Sequence, residues 1–273
     1  MIGFILPFKP KKESGNWEND NLLLAQTIHS ILSQTNPCFK VYVVYSDLPT
    51  VIIDNPKVRY INFSFPFMEY AEVDRANPGE FIPNTKRLVE RRFDKGRKSI
   101  YGCHYAKEDG CDYLMLVDAD DLISNKLVSY IERNKNNNTL PGWYVNKGYI
   151  LNKNSGKILR QRKMHLFNGS THILRSDLID IPDFNDLNWQ KYNWFVSHGW
   201  TKARIKQIYD LELQPIPFRA VIYVAHQSNI SPVLSIVESR RLKNFLKRII
   251  FGLKFSDKIK KEFGIDNSLQ LGR

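Results

Sequence analysis

The run Asp118-Ala119-Asp120-Asp121 places three carboxylates within four residues, directly after the apolar stretch 113–117. Carboxylates this close repel one another unless something positive lies among them. Mg²⁺ and Mn²⁺ prefer oxygen ligands, and often take one or two protein carboxylates and complete their shell with phosphate oxygens. The run therefore predicts a divalent cation bound together with a nucleoside diphosphate. The alternative is that Asp120 and Asp121 only cap a helix starting near 125, because aspartates favour helix starts.

Three buried strands are expected to position these carboxylates. The runs 2–6 and 113–117 are continuously apolar, as in strands of a parallel sheet, and 40–45 is predicted to be a further strand. A helical stripe over 21–34, with Asn19 and Asp20 available as caps, lies between the first two strands and makes a βαβ unit. Ligands of open α/β sheets bind at the carboxyl ends of strands, where Asp47 and Asp118 lie. Further elements predicted are a strand at 58–63, one long or two short helices over 85–107, and a helix at 125–134.

The chain has the size and composition of one α/β domain with a tail. It has 273 residues, 42% of them hydrophobic, and no run near the roughly 18 apolar residues of a membrane span. The N-terminus is apolar before it is basic, the reverse of a signal peptide, and three cysteines lack CxxC spacing. A cytoplasmic location is expected. The net charge of +12 favours anionic partners, but no nucleic-acid-binding module accompanies it.

Four motifs in order resemble those of family 2 glycosyltransferases, which have a GT-A fold. They are Ile2-Gly3-Phe4-Ile5-Leu6-Pro7, Ile28-His29-Ser30-Ile31-Leu32-Ser33-Gln34-Thr35, Lys40-Val41-Tyr42-Val43-Val44-Tyr45-Ser46-Asp47 and Tyr113-Leu114-Met115-Leu116-Val117-Asp118-Ala119-Asp120-Asp121. The resemblance covers residues 1 to about 230. It implies a Rossmann-like, mostly parallel sheet flanked by helices, with a mixed C-terminal half. The expected domain is 1–234, divided into a nucleotide-sugar-binding half (1–124) and an acceptor-side half (125–234).

The resemblance also implies which residues bind the donor and its metal. Pro7, Phe8, Lys9 and Asp47 would hold the nucleoside, Asp118 would face it, and Asp120 would bind Mn²⁺ or Mg²⁺ at the diphosphate. Asp121 would have a supporting, structural role. Basic side chains that could neutralise phosphate are Lys95, Arg97 and Lys98, although basic residues are more often simply solvated. His226, after the last predicted strand, is a further metal ligand implied by the resemblance, and Asp118 is a third candidate ligand; a structural role for His226 is the alternative.

The acceptor side and the catalytic base are implied less directly. Gly169 and Ser170 resemble a small-residue segment that lies beneath the sugar and acceptor, and Trp189 could stack on a sugar. An inverting transferase needs a carboxylate that takes the acceptor proton. The family places it where this chain has Asn188, so a small register shift makes Asp186 the base and Asp183 the second choice. Both aspartates are equally compatible with turn capping.

The C-terminal segment 235–273 is predicted to be helical, basic and amphipathic. Between 240 and 251, basic and apolar residues alternate at helical spacing. Such a helix could dock on the domain, or could lie on an anionic bilayer at the inner face of the membrane.

Together these features predict a metal-dependent nucleotide-sugar glycosyltransferase of the hexosyltransferase type. It would use a UDP-, GDP- or dTDP-sugar and a saccharide or lipid-linked acceptor, in polysaccharide or glycoconjugate synthesis. A nucleotidyltransferase is one alternative, although the segment 7–12 lacks the glycines of a phosphate loop. A catalytically inactive nucleotide-sugar-binding domain is another, and a nucleic-acid-binding protein is disfavoured.

Overall fold

The computed structural model describes residues 1–75, 85–135, 139–153, 156–192, 198–226, 252–253 and 255–265. One sheet contains ten strands within these residues, namely β1 Ile2–Pro7, β2 Phe39–Tyr45, β3 Val58–Asn62, β4 Tyr113–Leu116, β5 Leu122–Ile123, β6 Gly142–Asn152, β7 Lys157–Arg162, β8 His172–Arg175, β9 Gln214–Ala225 and β10 Gly252–Leu253. The α-helices are α1 Trp17–Leu32, α2 Lys86–Glu108, α3 Leu127–Asn134, α4 His198–Tyr209 and α5 Asp257–Glu262. Short 3-10 helices are Lys11–Glu13, Met164–Leu166, Ser176–Leu178 and Trp189–Tyr192.

The N-terminal half forms the predicted parallel sheet, in the order β3-β2-β1-β4. Strands β1 and β4 are buried along their whole length, because helices cover the sheet and their continuous apolar runs have two faces to fill. From β1 the chain adds β2 and β3 on one side and then returns to place β4 on the other. The carboxyl ends of β1 and β4 therefore flank the switch point where open α/β sheets bind ligands.

The C-terminal half is mixed, as predicted. Strand β8 runs antiparallel to β4, and β6 joins β8 and β7 in antiparallel pairs but pairs in parallel with β9. Gly142 opens β6 with φ of 139°, and a Cβ there would collide with the Ile173 carbonyl of β8. Only glycine can occupy this position, where β6 and β8 pair closely. The α/β fold with a parallel front half and a mixed back half is confirmed.

The region predicted as one or two helices is the single helix α2. Gly96 does not interrupt it. Instead, Gly96 faces the 3-10 helix Trp189–Tyr192 so closely that a Cβ would collide with the Tyr192 carbonyl oxygen. The glycine thus allows close packing of two backbones rather than marking a helix end.

Helix α1 begins at Trp17, four residues before the predicted start. The side chain of Asn16 accepts a hydrogen bond from the Asn19 amide and caps the helix. Asn19 and Asp20, expected as caps, lie in the first turn.

The described part of the C-terminal segment packs on the domain. Strand β10 pairs with β7, and Phe263, just after α5, is fully buried with Leu122, Leu151 and Ile222. Glu262 accepts hydrogen bonds from Ser124 Oγ (2.8 Å) and Lys126 Nζ (2.7 Å). The amphipathic stretch 240–251 lies outside the described residues. Within the described parts of the chain, no helix is long and apolar enough to cross a membrane.

Candidate active site

A cavity opens at the carboxyl ends of β1 and β4. Its walls come from the turn after β1, one side of α2, the loop after β4, the loop 167–169 and the start of α4. The lining residues are Pro7, Phe8, Lys9, Pro10, Glu13, Asp20, Leu23, Phe67, Arg91, Arg92, Asp94, Lys95, Lys98, Asp118, Ala119, Asp120, Phe167, Asn168, Gly169, His198 and Tyr223. Of the residues predicted from sequence, the cavity brings together Pro7, Phe8, Lys9, Lys95, Lys98, Asp118, Asp120 and Gly169.

Asp118 lies at the floor of this cavity, between a cation and a small-residue loop. Its carboxylate forms an ion pair with Lys95 Nζ. Its backbone amide donates to Ser170 Oγ at 2.8 Å. A Cβ on Gly169 would come within 3.0 Å of Asp118 Oδ2, so the absence of a side chain leaves the carboxylate room. Gly169 and Ser170 therefore shape the surroundings of Asp118.

Asp120 is paired with His226, which follows the end of β9. His226 Nε2 lies 2.8 Å from Asp120 Oδ2, and the imidazole is buried. Burial alone would raise the pKa of Asp120, but the His226 hydrogen bond and the positive charges of His226, Lys9 and Lys95 outweigh it. The net pKa is lowered, and Asp120 is an anion in a cavity with basic walls.

Asp121 points away from the cavity and is fully buried. Its Oδ2 accepts hydrogen bonds from Asn168 Nδ2 (2.7 Å) and from Ser170 Oγ. Burial and the neighbouring charges of Asp120 and Asp118 raise the pKa of Asp121 well above its ordinary value. Asp121 thus supports the loop 168–170 from below, in agreement with the supporting role expected for it.

The three basic residues predicted on α2 have different surroundings. Lys95 reaches the cavity and Asp118. Lys98 is buried at the cavity wall, where its Nζ donates to the Phe8 carbonyl (3.0 Å) and to Asp94 (2.8 Å), so it ties α2 to the turn after β1. Arg97 faces the opposite side of the helix and donates to the carbonyls of Pro66 and Phe184 at 3.0 and 2.7 Å. Arg97 does not line the cavity, and its contacts are structural.

Asp47 lines a second, adjoining hollow rather than the main cavity. Its Oδ2 accepts from the Lys11 amide at 2.7 Å. The hollow is walled by the ends of β2 and β3 and shares Pro10 and Phe67 with the main cavity. The two spaces are therefore neighbours on the same edge of the sheet.

The candidate bases Asp186 and Asp183 stabilise a turn. Asp186 accepts from the Asn188 amide (2.9 Å) and forms an ion pair with Lys191 (2.6 Å). Asp183 accepts from the Asn185 amide at 2.9 Å. Neither lines the cavity in this structure. Trp189 is also distant from the lining: it is buried and stacks on Phe93, with 6.3 Å between ring centroids.

Several lining residues were not predicted from sequence, and His198 is one of them. It begins α4 and makes a hydrogen bond to the Leu166 backbone. Burial, together with the positive charges of Lys95 and Arg92, lowers the pKa of His198 to about 4. The imidazole is therefore neutral near pH 7. Glu13, which pairs with Arg91 at 3.5 Å, was also missed.

The metal prediction can be compared with the donor atoms present. Among the described residues, no group of three or more His, Cys, Asp and Glu side chains is arranged to hold a metal ion by itself. Asp120 and His226 form a two-residue set, and Asp118 nearby is held by Lys95. A two-residue protein set suits an ion that takes its remaining ligands from phosphate and water.

Comparisons with known proteins return solved structures only. No protein-family model and no curated protein matches the chain. S. aureus TarS 1-349 aligns with 12% identity and a TM-score of 0.44, over 82% of this chain and 60% of that one, so the chain spans less than two thirds of it. The same protein in complex with UDP-GlcNAc aligns with 11% identity and a TM-score of 0.45, over 98% of this chain and 74% of that one.

A cytidylyltransferase is also similar. The 2-C-methyl-D-erythritol 4-phosphate cytidylyltransferase of Francisella tularensis aligns with 12% identity and a TM-score of 0.37, over 85% of this chain and 93% of that one. Because these TM-scores are all below 0.5, a function has to be argued from the site itself.

Proposed function

We propose that this chain is a GT-A glycosyltransferase that moves a sugar from a nucleoside-diphosphate donor to a saccharide or lipid-linked acceptor. The observation that carries the proposal is the cavity at the β1/β4 switch point, where Asp118 and Asp120 lie opposite Lys9 and Lys95. A diphosphate needs positive charge to bind, and carboxylates are useful beside it only when a cation joins them to the phosphates. This cavity has both the lysines that a diphosphate needs and the carboxylates that could bind the cation.

The cation in this proposal is Mn²⁺ or Mg²⁺, held by Asp120 and His226 with Asp118 as a further candidate. A carboxylate and a neutral imidazole are acceptable ligands for Mn²⁺, whereas Mg²⁺ would rely more on the carboxylates and on water. When bound, the ion would stabilise the negative charge that develops on the departing diphosphate. Lys95 would then be free to leave Asp118 and donate to a phosphate oxygen.

The nucleoside is proposed to occupy the hollow beside Asp47. This hollow adjoins the main cavity at Pro10 and Phe67, so a base and ribose there would place the diphosphate beside Asp118 and Asp120. The turn Pro7-Phe8-Lys9 would form the wall between nucleoside and sugar. Its position is fixed by the bond from buried Lys98 to the Phe8 carbonyl.

In the proposed reaction, an acceptor hydroxyl oxygen bonds to the anomeric carbon as the bond from that carbon to the diphosphate oxygen breaks. The bonding electrons leave with the nucleoside diphosphate, and a base takes the hydroxyl proton. Asp186 remains the base that the family resemblance suggests. His198 is the candidate that the cavity favours, because it is a lining residue and its ring is neutral. The negative charge of a bound donor would offset Lys95 and Arg92, and so make His198 more basic.

Thermal unfolding with a panel of nucleotide sugars tests the proposal. UDP-, GDP- and dTDP-sugars, each with and without Mn²⁺, should include one nucleotide class that stabilises the protein in a metal-dependent manner, since ligands that bind the native state raise its stability. Absence of stabilisation by every donor would contradict the proposal. Released products separate the alternatives. From a nucleotide sugar, a nucleoside diphosphate indicates sugar transfer or donor hydrolysis; from a nucleoside triphosphate supplied with a sugar 1-phosphate, pyrophosphate indicates a nucleotidyltransferase; no product from either mixture indicates a binding domain.

A further inference from the structure

A cluster of exposed apolar side chains lies beside the mouth of the cavity. Leu166 is 50% exposed and Phe167 is 40% exposed, at the end of the 3-10 helix Met164–Leu166. Helix α4 packs against the same 3-10 helix. Large apolar side chains exposed together mark an interaction site more often than isolated ones do.

Two lysines flank these apolar residues. Lys202 Nζ lies 4.7 Å from the centre of the Tyr144 ring, which is in turn 4.9 Å from the ring of His165. Lys163 directly precedes the 3-10 helix and is exposed. Burial lowers the pKa of His165, and the charges of Lys202 and Lys163 lower it further. Neither lysine forms an ion pair with another residue that the structure describes.

The surface made by Lys163, Leu166, Phe167 and Lys202, here called the rim, is continuous with the cavity. Phe167 belongs to both, and His198, which lines the cavity, is the first residue of the helix that carries Lys202. A molecule resting on the rim would therefore lie next to the place where an acceptor enters.

We propose that the rim rests on an anionic lipid bilayer and holds the cavity mouth against the membrane surface. Exposed Leu and Phe side chains enter the boundary between headgroups and acyl chains, while nearby lysines pair with anionic headgroups. The free positive charges of the rim and the chain's net charge of +12 favour this partner over a neutral saccharide. The acceptor would then be carried on a lipid; only this last step rests on the proposed function.

Sedimentation of the full chain with lipid vesicles tests the contact. Vesicles of phosphatidylcholine alone are compared with vesicles that also contain phosphatidylglycerol. The rim variant combines Lys163→Asn, Leu166→Gln and Lys202→Gln; asparagine is chosen because it tolerates the φ of 55° at position 163. A matched control combines Lys206→Gln, Ile208→Gln and Lys258→Gln, which remove the same charge and one exposed apolar residue elsewhere on α4 and α5.

We expect the wild type and the control to bind the anionic vesicles and to be released by salt. The rim variant should bind at least about 25-fold more weakly, because each lysine near an anionic surface contributes about fivefold. Equal binding by the rim variant and the wild type, or no binding by the wild type, would overturn the proposal. Circular dichroism and donor-dependent stabilisation of the rim variant show that it is folded, and a failure of donor binding in the wild type would count against the glycosyltransferase proposal alone.

Discussion

Nε2 of His226 and Oδ2 of Asp120 lie 2.8 Å apart, although 106 residues separate them in the chain. The pair joins the end of β9, in the mixed half of the sheet, to the loop that follows β4 in the parallel half. The two halves of the fold therefore meet at the atoms proposed to hold a metal ion.

Replacing Asp120 with asparagine should weaken metal-dependent donor binding. The substitution keeps the size of the side chain but removes the charge that pairs with His226 and faces Lys9 and Lys95. We expect the donor affinity in Mn²⁺ to fall by about 10- to 100-fold, the range typical of residues that support a metal site. Calorimetric titration with and without Mn²⁺ measures this. An unchanged affinity would exclude Asp120 as a metal ligand.

The neighbouring substitution Asp121→Asn should make the protein more stable. A carboxyl whose pKa is raised in the folded state stabilises the protein below its unfolded pKa, and that contribution is lost as pH rises through the folded pKa. At pH 7 the raised pKa of Asp121 is therefore a cost to folding, and an amide, which never ionises, avoids it while still accepting from Ser170 or Asn168. The ligand-free variant should unfold at a higher temperature than the wild type at pH 7. A lower unfolding temperature would show that the ionised form is needed.

A methyl group at position 169 should impair turnover more than folding. The Cβ of Gly169→Ala would press on Asp118 Oδ2 at 3.0 Å and displace the carboxylate or its partner Lys95. Misplacement of a site group by about 1 Å commonly costs up to about 100-fold in rate. Gly199→Ala is the control, since no atom lies within 4 Å of its added methyl group. Steady-state kinetics should separate the two variants, and equal rates would contradict the role of Gly169.

The two candidate bases predict different results for two conservative substitutions. If His198 takes the acceptor proton, His198→Gln should lower kcat by about 100-fold or more, the usual contribution of a general base, while donor binding persists. Asp186→Asn should then change kcat little, because Asp186 pairs with Lys191 on a turn outside the lining. The reverse pattern would assign the base to Asp186 and would require the turn to move when the acceptor binds.

Acid should destabilise the protein partly through His172. Burial, with the charges of His198 and His165, lowers the pKa of His172 to about 3. The unfolded chain takes up this proton near pH 6.5, so the native state loses stability as pH falls from about 6.5 towards 3. Between pH 7 and pH 5 the loss from this residue is about 2 kcal/mol. Urea unfolding of His172→Gln should show a correspondingly smaller change between these pH values; an identical change would contradict the shift.

The parallel half of the fold and the position of Asp118 and Asp120 could be predicted from sequence because both are local properties. Continuous apolar runs define strands buried on two faces, and the residue after such a run lies at the ligand-binding edge of the sheet. The supporting position of Asp121 follows from the same turn. No long-range information was needed for these three aspartates.

The remaining wall of the cavity depends on packing that the sequence does not encode locally. Lys95 and Arg97 are two residues apart on one basic stretch, yet the packing of α2, including the close approach of Gly96 to Tyr192, sets which of them faces the cavity. His198 carries no motif and enters the site because α4 packs on the 3-10 helix Met164–Leu166. Nothing in the sequence around His198 distinguishes it from a histidine of the core.

The hydrogen bonds that Glu262 accepts from Ser124 and Lys126 determine when the site is completed during protein synthesis. Strand β5 begins two residues after Asp120 and pairs with β9. Ser124, the residue that follows β5, donates a hydrogen bond to Glu262 of α5. The ribosome must therefore release the chain as far as Glu262 before the aspartate loop has all its supports. Removing the C-terminal segment to test membrane binding would expose Phe263's partners and loosen this loop, so point substitutions in a full-length chain are the better experiment.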